Sequence, residues 1–286
     1  MASITNLGSV SGLPLEETLK KLQEVEDKKL SIYDTRQQSY QTRIDAYAKL
    51  QSALEAVQKA AGVLGKAETM AAIKGSVSGG TALTATVAAE GVVAGQYTIA
   101  VNKLAKSQSL QSIPVSDRTA KHGDTGSFTI ELTNGVKQTV DLKGDTSLNG
   151  IVKAINGDDK AGVRATVIND GNGNNYLMLT AKDTGVQAAV KSIAVTGDDS
   201  LKNILSFSTD ANGATSGMVN TKAQDAEVVI NNIPVTSGSN NLDKAIDGVT
   251  LNLSEETPAD KPITLKLEAD PSVATKAAKD FVNAYN

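Results

Sequence analysis

The side chains that could do chemistry in this chain are few, and their spacing serves chemistry poorly. The single histidine, His122, lies in Thr119-Ala120-Lys121-His122-Gly123-Asp124, and one imidazole in a Gly-rich polar stretch reads as a solvated loop residue, with no Ser-His-Asp arrangement to join. Zero Cys removes disulfides, thiolate zinc sites and thiol nucleophiles together, while leaving the redox compartment open. Asp170, Asn172 and Asn174 alternate like the first ligands of a calcium loop. The sixth position is nevertheless Asn175, where the turn needs Gly, and the twelfth is Ala181, where a bidentate Glu is needed. Gly171 and Gly173 lie between two strand-like segments with no helix to receive a pyrophosphate, so they read as a hairpin turn. Asp158-Asp159, Asp198-Asp199 and Glu255-Glu256 could pair as general acid and base, yet each sits in a polar turn with no apolar wall to raise a pKa. No catalytic, metal-ligating or cofactor-binding residue is assigned, and the chain is expected not to be an enzyme and to need no cofactor.

Composition narrows the partners. The 286 residues carry 28 basic and 32 acidic side chains, a net charge of -4, which argues against nucleic acid or anionic lipid as the main partner. Three Phe, six Tyr and no Trp leave no platform on which bases or sugars could stack. The opening Met1-Ala2-Ser3-Ile4-Thr5-Asn6-Leu7 has neither a basic nor an apolar leader region, and no run of apolar residues is long enough to span a bilayer. Neither Sec export nor membrane insertion is therefore expected.

The elements that must position these residues follow from period and punctuation. Pro14 to about Lys66 contains no internal Pro and abounds in Ala, Leu, Glu, Lys and Gln, which predicts one long helix or two consecutive ones. Tyr33, Tyr40, Tyr47 and Leu54 recur every seven residues, and Leu50, Val57 and Leu64 make a second seven-residue row, an a/d seam from about residue 40 onward. Residues 16–39 spend eleven charges around a thin stripe of Leu15, Leu19, Leu22, Val25 and Ile32, so this part needs a partner helix to hold it. For residues 44–64 that partner is expected within the same subunit, and for residues 1–43 in another.

After Met70 the period drops to two. Gln96–Val101, Ser127–Leu132 and Gln138–Leu142 alternate as strands, the last two joined by Asn134-Gly135, a hairpin turn. Asp145-Thr146-Ser147 caps a short helix carrying Leu148, Ile151, Val152 and Ile155 and ending at Asn156-Gly157. Strands over 162–168 and 175–181 complete an α+β unit, whose core is predicted to be Leu148, Ile151, Ile155, Val163, Val167, Leu177 and Leu179. Ser208–Thr221 reads as a loop or hinge, followed by a hairpin-like pair at Glu227–Ile230 and Ile233–Val235. A short helix is expected over Asn241–Ile246, strands over 249–253 and 263–267, and a terminal helix from Asp270-Pro271-Ser272. That helix reaches Asn286 without a Gly cap or polar tail, so the chain is expected to be a fragment of something longer.

The opening Met1-Ala2-Ser3-Ile4 with Leu7-Gly8 and Ser11-Gly12-Leu13, the helix ending Tyr47-Ala48-Lys49-Leu50-Gln51-Ser52-Ala53-Leu54, and Ala94–Ile99 with Leu104–Leu110 together resemble the flagellar filament-capping family, also called hook-associated protein 2 or FliD. Residues 126–185 resemble the insertion motif of flagellar axial proteins, and Ala226–Asn232 through Ala245–Leu251 to Phe281–Asn286 resembles the start of the cap protein's C-terminal half. The resemblance implies an α+β fold: a long N-terminal helical or coiled-coil leg, two mainly β lobes with one inserted in the other, and the start of a C-terminal helix. It divides the chain into a terminal leg (1–43), the first half of a helical plate (44–69), an inner β lobe (70–112 with 224–270), an outer inserted α+β lobe (113–223) and a returning helix (271–286).

The function so implied is a non-enzymatic, homo-oligomeric cap at the distal end of the bacterial flagellar filament, outside the cell, which promotes insertion of exported flagellin. Its implied partners are further copies of itself, flagellin, and the flagellar type III export apparatus with its chaperone, the latter met mainly through a part absent here; nucleic acid and membrane are excluded. On this reading Tyr40, Tyr47, Leu50, Leu54 and Val57 hold the plate together, and Leu15, Leu19 and Leu22 anchor the leg to the filament. The alternative from another class is a surface adhesin binding host mucin or glycan through the β lobes, against which the low aromatic content counts.

Overall fold

A computed structural model describes residues 15–210, 213–214 and 218–286. Pro14 and the opening segment that carries part of the family resemblance lie outside the described residues, as do residues 211–212 and 215–217 of the 208–221 stretch. The chain divides into a helical unit, residues up to Met70 with Pro271–Asn286, and a β-rich unit, Ala71–Asp270.

In the helical unit, α1 (Leu15–Leu64) runs 50 residues without a break, which at 1.5 Å per residue is about 75 Å. Its polar side chains satisfy themselves locally. Lys21 pairs with Glu17 and Lys29 with Glu26, each at 2.8 Å, while the hydroxyls of Thr35 and Thr42 donate to carbonyls one turn back. Such pairs contribute only about 0.2–0.5 kcal/mol each to a helix. Beyond Gly65, the one-turn α2 (Ala67–Met70) is fixed by buried Thr69, whose hydroxyl donates to the Val63 carbonyl at 2.8 Å. In α5 (Pro271–Tyr285), Pro271 fills the first helical position, where its missing N–H costs nothing. Ala274, Ala277, Phe281 and Ala284 form the covered stripe of α5, a 3-4-3 spacing that faces α1.

The β-rich unit holds two cores. The first lobe packs a five-stranded sheet, in the order β1 (Ile73–Ser78), β17 (Ile263–Ala269), β3 (Gly95–Lys103), β13 (Ala226–Ile230), β14 (Ile233–Ser237), with a three-stranded sheet, β15 (Asn241–Ile246), β16 (Val249–Leu253), β2 (Leu83–Val87). Ile99, Val101, Val228, Leu251, Ile263 and Leu265 meet in its core. The second lobe has one sheet in the order β11 (Gly213–Ala214), β10 (Phe207–Asp210), β9 (Val190–Gly197), β5 (Gly126–Leu132), β6 (Lys137–Asp141). Its other sheet runs β12 (Met218–Thr221), β4 (Ser109–Ser112), β8 (Asn175–Ala181), β7 (Val163–Asn169). Two helices, α3 (Leu148–Asn156) and α4 (Asp199–Leu205), add Leu148, Ile151, Ile155, Leu201 and Leu205 to that core.

Six of the seven residues predicted for this core are fully buried, and Val167 packs on it half-exposed. The helix boundaries fall where the caps put them. Ser147 Oγ accepts from Gly150 N at 3.1 Å, and the Gly157 N–H closes the last turn onto Lys153 O at 3.0 Å.

Four features differ from the sequence expectation. Asn241–Ile246 is a strand rather than a helix: Leu242 and Ile246 lie four apart, a spacing that puts two side chains on one face at either period, and a bulge between them preserves pairing to Leu251 and Val249. The described parts of Ser208–Thr221 are strand as well, with Ser208 paired to Ser192 and Met218–Thr221 paired to β4. Ser109–Ser112, expected in the inner lobe, pairs with β8 and β12 of the second lobe. His122 is half-buried instead of solvated; its Nε2 is enclosed without a hydrogen-bond partner among the described residues, and burial lowers its pKa.

The chain passes between the lobes twice, and the crossing is clamped by side-chain amides. Asn240 accepts from Ala105 N at 2.7 Å and donates to Ala105 O at 3.0 Å, while Gln224 Nε2 donates to Leu104 O at 2.9 Å. Lys106 and Gln224 exchange both backbone bonds. Two residues on, buried Gln108 repeats the amide grip on Val190, donating to its carbonyl at 3.2 Å and accepting from its N–H at 2.6 Å. Close by, Asp225 accepts from Val186 N at 2.7 Å, and a Cβ on Gly185 would collide with the Gly238 backbone.

Candidate functional site

The residue types that could have made a catalytic or metal site are each engaged in local structure. Asp170 holds its own turn, accepting from Asn172 N at 2.8 Å, Asn174 N at 3.1 Å and Asn174 Nδ2 at 2.8 Å; these bonds keep its carboxyl below the usual range. Asp158 accepts from Lys160 N and Gln138 Nε2, and its pKa is lowered for that reason. Asp198 starts α4 and lies against Gly123, whose φ of +116° and lack of a Cβ admit the carboxylate. Glu255 and Glu256 sit in an exposed turn whose Glu255 N–H donates to Ala82 O. Glu131 is held ionised by hydrogen bonds from Lys191 and Lys137, which bridge it across neighbouring strands. Among the described residues no three His, Asp or Glu side chains converge in a way that could hold a metal ion.

What stands out is the surface of α1. Its 50 residues contain no buried side chain. Tyr33, Tyr40, Tyr47 and Leu54, one row at seven-residue spacing, are each more than 60 % exposed. Leu50 and Ile44 beside that row are exposed too, as are Leu15, Leu19 and Leu22 on the earlier turns. Between Tyr33 and Ile44 the side chains of Arg36, Gln37, Tyr40 and Gln41 frame a shallow strip along the helix. α5 packs against α1, and along α1 exposure falls only at Val57, Ala60 and Leu64, which are half-buried, while Ala61 and Val63 stay exposed. So, of the residues singled out from the sequence for helical packing, the structure half-buries Val57 and leaves Tyr40, Tyr47, Leu50 and Leu54 open to solvent; the same-subunit partner expected over 44–64 is seen among the described residues only from Val57 on. α5 carries an open face of its own, with Tyr285 at 76 % exposure and Val273 and Val282 also exposed.

A helix gains little from burial when its apolar rows face water, and in water such rows are stabilised by another helix laid along them. No described helix is long and apolar enough to cross a membrane. The signal for the open seam was in the heptad spacing. The amides that clamp the lobes carry no comparable signal, because Gln108, Gln224 and Asn240 are far apart in sequence and ordinary in type.

Comparison with known proteins matches the family model described as the flagellar hook-associated protein 2 N-terminus over residues 11–108 and that of its C-terminus over 223–286, with the flagellin hook IN motif over 127–183. Flagellar hook-associated protein 2 of Escherichia coli (strain K12) is 37% identical over 291 residues, an alignment that covers 100% of this chain and 60% of that protein. The protein of the same name from Salmonella typhimurium is 33% identical, covering 100% of this chain and 61% of its own length. This chain thus spans about three fifths of the length of these two relatives. Among solved structures, the D1-D2-D3 domains of the flagellar cap protein FliD from Escherichia coli superpose with a TM-score of 0.77 at 36% identity, covering 84% of this chain and 67% of that one. The D2-D3 domains of the Serratia marcescens cap protein give a TM-score of 0.59 at 32% identity, over 66% of this chain and 100% of that one.

Proposed function

The chain belongs to the flagellar hook-associated protein 2 family, and from that premise we propose that it is a subunit of the cap at the distal end of a bacterial flagellar filament, a non-enzymatic assembly of several copies that promotes the insertion of exported flagellin. One observation carries the reading. The apolar seam of α1 is half-buried at Val57 and Leu64 and bare from Leu15 to Leu54, so one continuous pattern is partly satisfied within the chain and partly held out for other helices. Tyr40, Tyr47, Leu50, Leu54 and Val57 hold the helical plate together, through oligomerisation and helical packing, and Leu15, Leu19 and Leu22 anchor the leg to the filament. The leg ends near residue 43 and the plate helix near residue 69. The two β lobes form the β-rich body of the subunit, with the insertion-motif segment 127–183 inside the second lobe. Flagellin is the partner at the filament, the flagellar type III export apparatus and its chaperone deliver the subunit, and its place of work is outside the cell at the filament tip.

The test is filament growth in a bacterium whose own cap gene is deleted, supplied with the full-length protein. Tyr40→Ser, Tyr47→Ser and Leu54→Ser together should abolish elongation and release flagellin monomer into the medium, while circular dichroism of the purified variant shows the β unit intact. Normal filaments from the triple variant would overturn the assignment of this face.

A further inference from the structure

Five Asn-Gly pairs occur in the sequence, at Asn134, Asn149, Asn156, Asn172 and Asn212. Such a pair is chemically labile because glycine has no Cβ to shield its backbone nitrogen, which can attack the side-chain amide carbon of the asparagine before it. The attack needs the amide free to swing and the glycine N–H free to react, and both conditions are set by the fold. Asn212 lies outside the described residues.

Three of the other four are locked. Asn156 grips Ala165 at both ends, donating to its carbonyl at 2.8 Å and accepting from its N–H at 2.9 Å, and Gly157 N–H is engaged by Lys153 O at 3.0 Å. Asn149 accepts from Arg118 Nε at 2.8 Å, while Gly150 N–H is taken up by Ser147 Oγ at 3.1 Å in the first turn of α3. Asn134 accepts from Val136 N at 3.0 Å, and Gly135 N–H donates to Leu132 O at 3.0 Å.

Asn172 is different. It is exposed at the tip of the β7–β8 hairpin, and among the described residues neither its side-chain amide nor the Gly173 N–H makes a hydrogen bond. Gly173 sits at φ +93° with nothing within 4 Å of where a Cβ would be. Asp170 holds the turn around it, through the N–H groups of Asn172 and Asn174. We propose that Asn172 is a site of spontaneous deamidation. Gly173 N bonds to Asn172 Cγ, the Cγ–Nδ2 bond breaks, and the amide leaves as ammonia with the proton from the glycine nitrogen. Water then adds to one of the two carbonyls of the resulting cyclic imide. Ring opening gives aspartate, or an isoaspartyl link that carries the main chain through Cβ. No electrons are gained or lost. Either product sets a new negative charge two residues from Asp170, and the isoaspartyl form adds a backbone atom inside the turn that Asp170 bridges. The damage stays at the tip because the ladder resumes at the Asn169–Asn175 pair.

The experiment incubates the whole chain at mildly alkaline pH, folded and in denaturant, and follows conversion at each asparagine by peptide mapping. In the folded protein Asn172 should convert at least about tenfold faster than Asn134, Asn149 or Asn156, which is about 1.4 kcal/mol and within the cost of breaking one or two hydrogen bonds. In denaturant the four rates should draw together. Hydroxylamine, which cleaves the cyclic imide, should cut the folded chain first after residue 172. Equal conversion of a locked asparagine in the folded chain would overturn the proposal. So would an order of rates that denaturation leaves unchanged, since flanking sequence and not the fold would then set it.

Discussion

Ile151 faces the second-lobe core from the middle of α3 with none of its surface exposed, and Leu148 and Ile155 flank it on the same stripe. Truncation there removes the transfer energy of three carbons and leaves a cavity that the sheets on either side cannot fill, so Ile151→Ala should cost about 2–4 kcal/mol in denaturant unfolding. His122 predicts a pH effect. Burial lowers its folded pKa below the unfolded value, so on acidification the unfolded chain takes up the proton first, and the stability present at neutral pH is lost as pH falls below about 6.5. The bonded carboxylates Glu131, Asp158 and Asp170 also have lowered values and add the same direction of loss at lower pH, as pH falls toward their folded pKa values. Replacing His122 with Gln should therefore flatten the change in unfolding midpoint between pH 7.5 and pH 5.5. A variant as pH-sensitive there as the parent would mean that His122 titrates as an open residue.

At the scale of elements, the lobe crossing depends on amides standing in for a sheet ladder. Asn240→Ala leaves the N–H and carbonyl of Ala105 without their partners, and Ala105 is itself buried. The loss should be roughly 1–3 kcal/mol, visible as faster hydrogen exchange at Ala105 and Lys106 while Leu177 and Leu179 in β8 stay protected. Ser147→Ala, which removes only the cap of α3, should cost about 1 kcal/mol. These two sites also mark what could be read from sequence. The cap, the hairpins at Asn134-Gly135 and Asn231-Asn232, and the alternation of β5, β8, β13 and β16 are local signals, and each stands where its chemistry put it. β15 was not legible because its two inward residues suit either period. β9, buried at Val190 and Ile193 but interrupted by a register shift opposite Glu131–Leu132, does not alternate cleanly. β1 offers only Ile73 and Val77 around Gly75, and α4 is seven residues long, so neither has a pattern strong enough to see. The membership of β4 in the second lobe depends on pairing with strands 65 or more residues away, information that no window of sequence contains.

For the whole molecule, the open face of α1 was legible because a seven-residue repeat survives whether or not its partner is present. The extent of cover was not legible, because it depends on where a helix from the other end of the chain, α5, comes to lie. That division sets the last prediction. Fixing a residue in a helix costs about 1–2 kcal/mol of backbone entropy, and over Leu15–Leu54 no buried side chain offsets it, whereas Val57, Ala60 and Leu64 are half-buried. In dilute solution, amide hydrogen exchange along α1 should therefore rise from slower near 57–64 to fast toward Leu15. If Tyr40, Tyr47, Leu50 and Leu54 meet other copies, raising the concentration until the full-length protein associates should slow exchange in 40–54 by more than it slows 57–64, where Val57, Ala60 and Leu64 are already half-buried. Tyr47→Ser with Leu54→Ser should remove that concentration dependence and leave the thermal unfolding of residues 71–270 where it was. Strong protection of 15–54 at high dilution would instead show a helix that holds itself, and the bare seam would then need no partner to explain its stability.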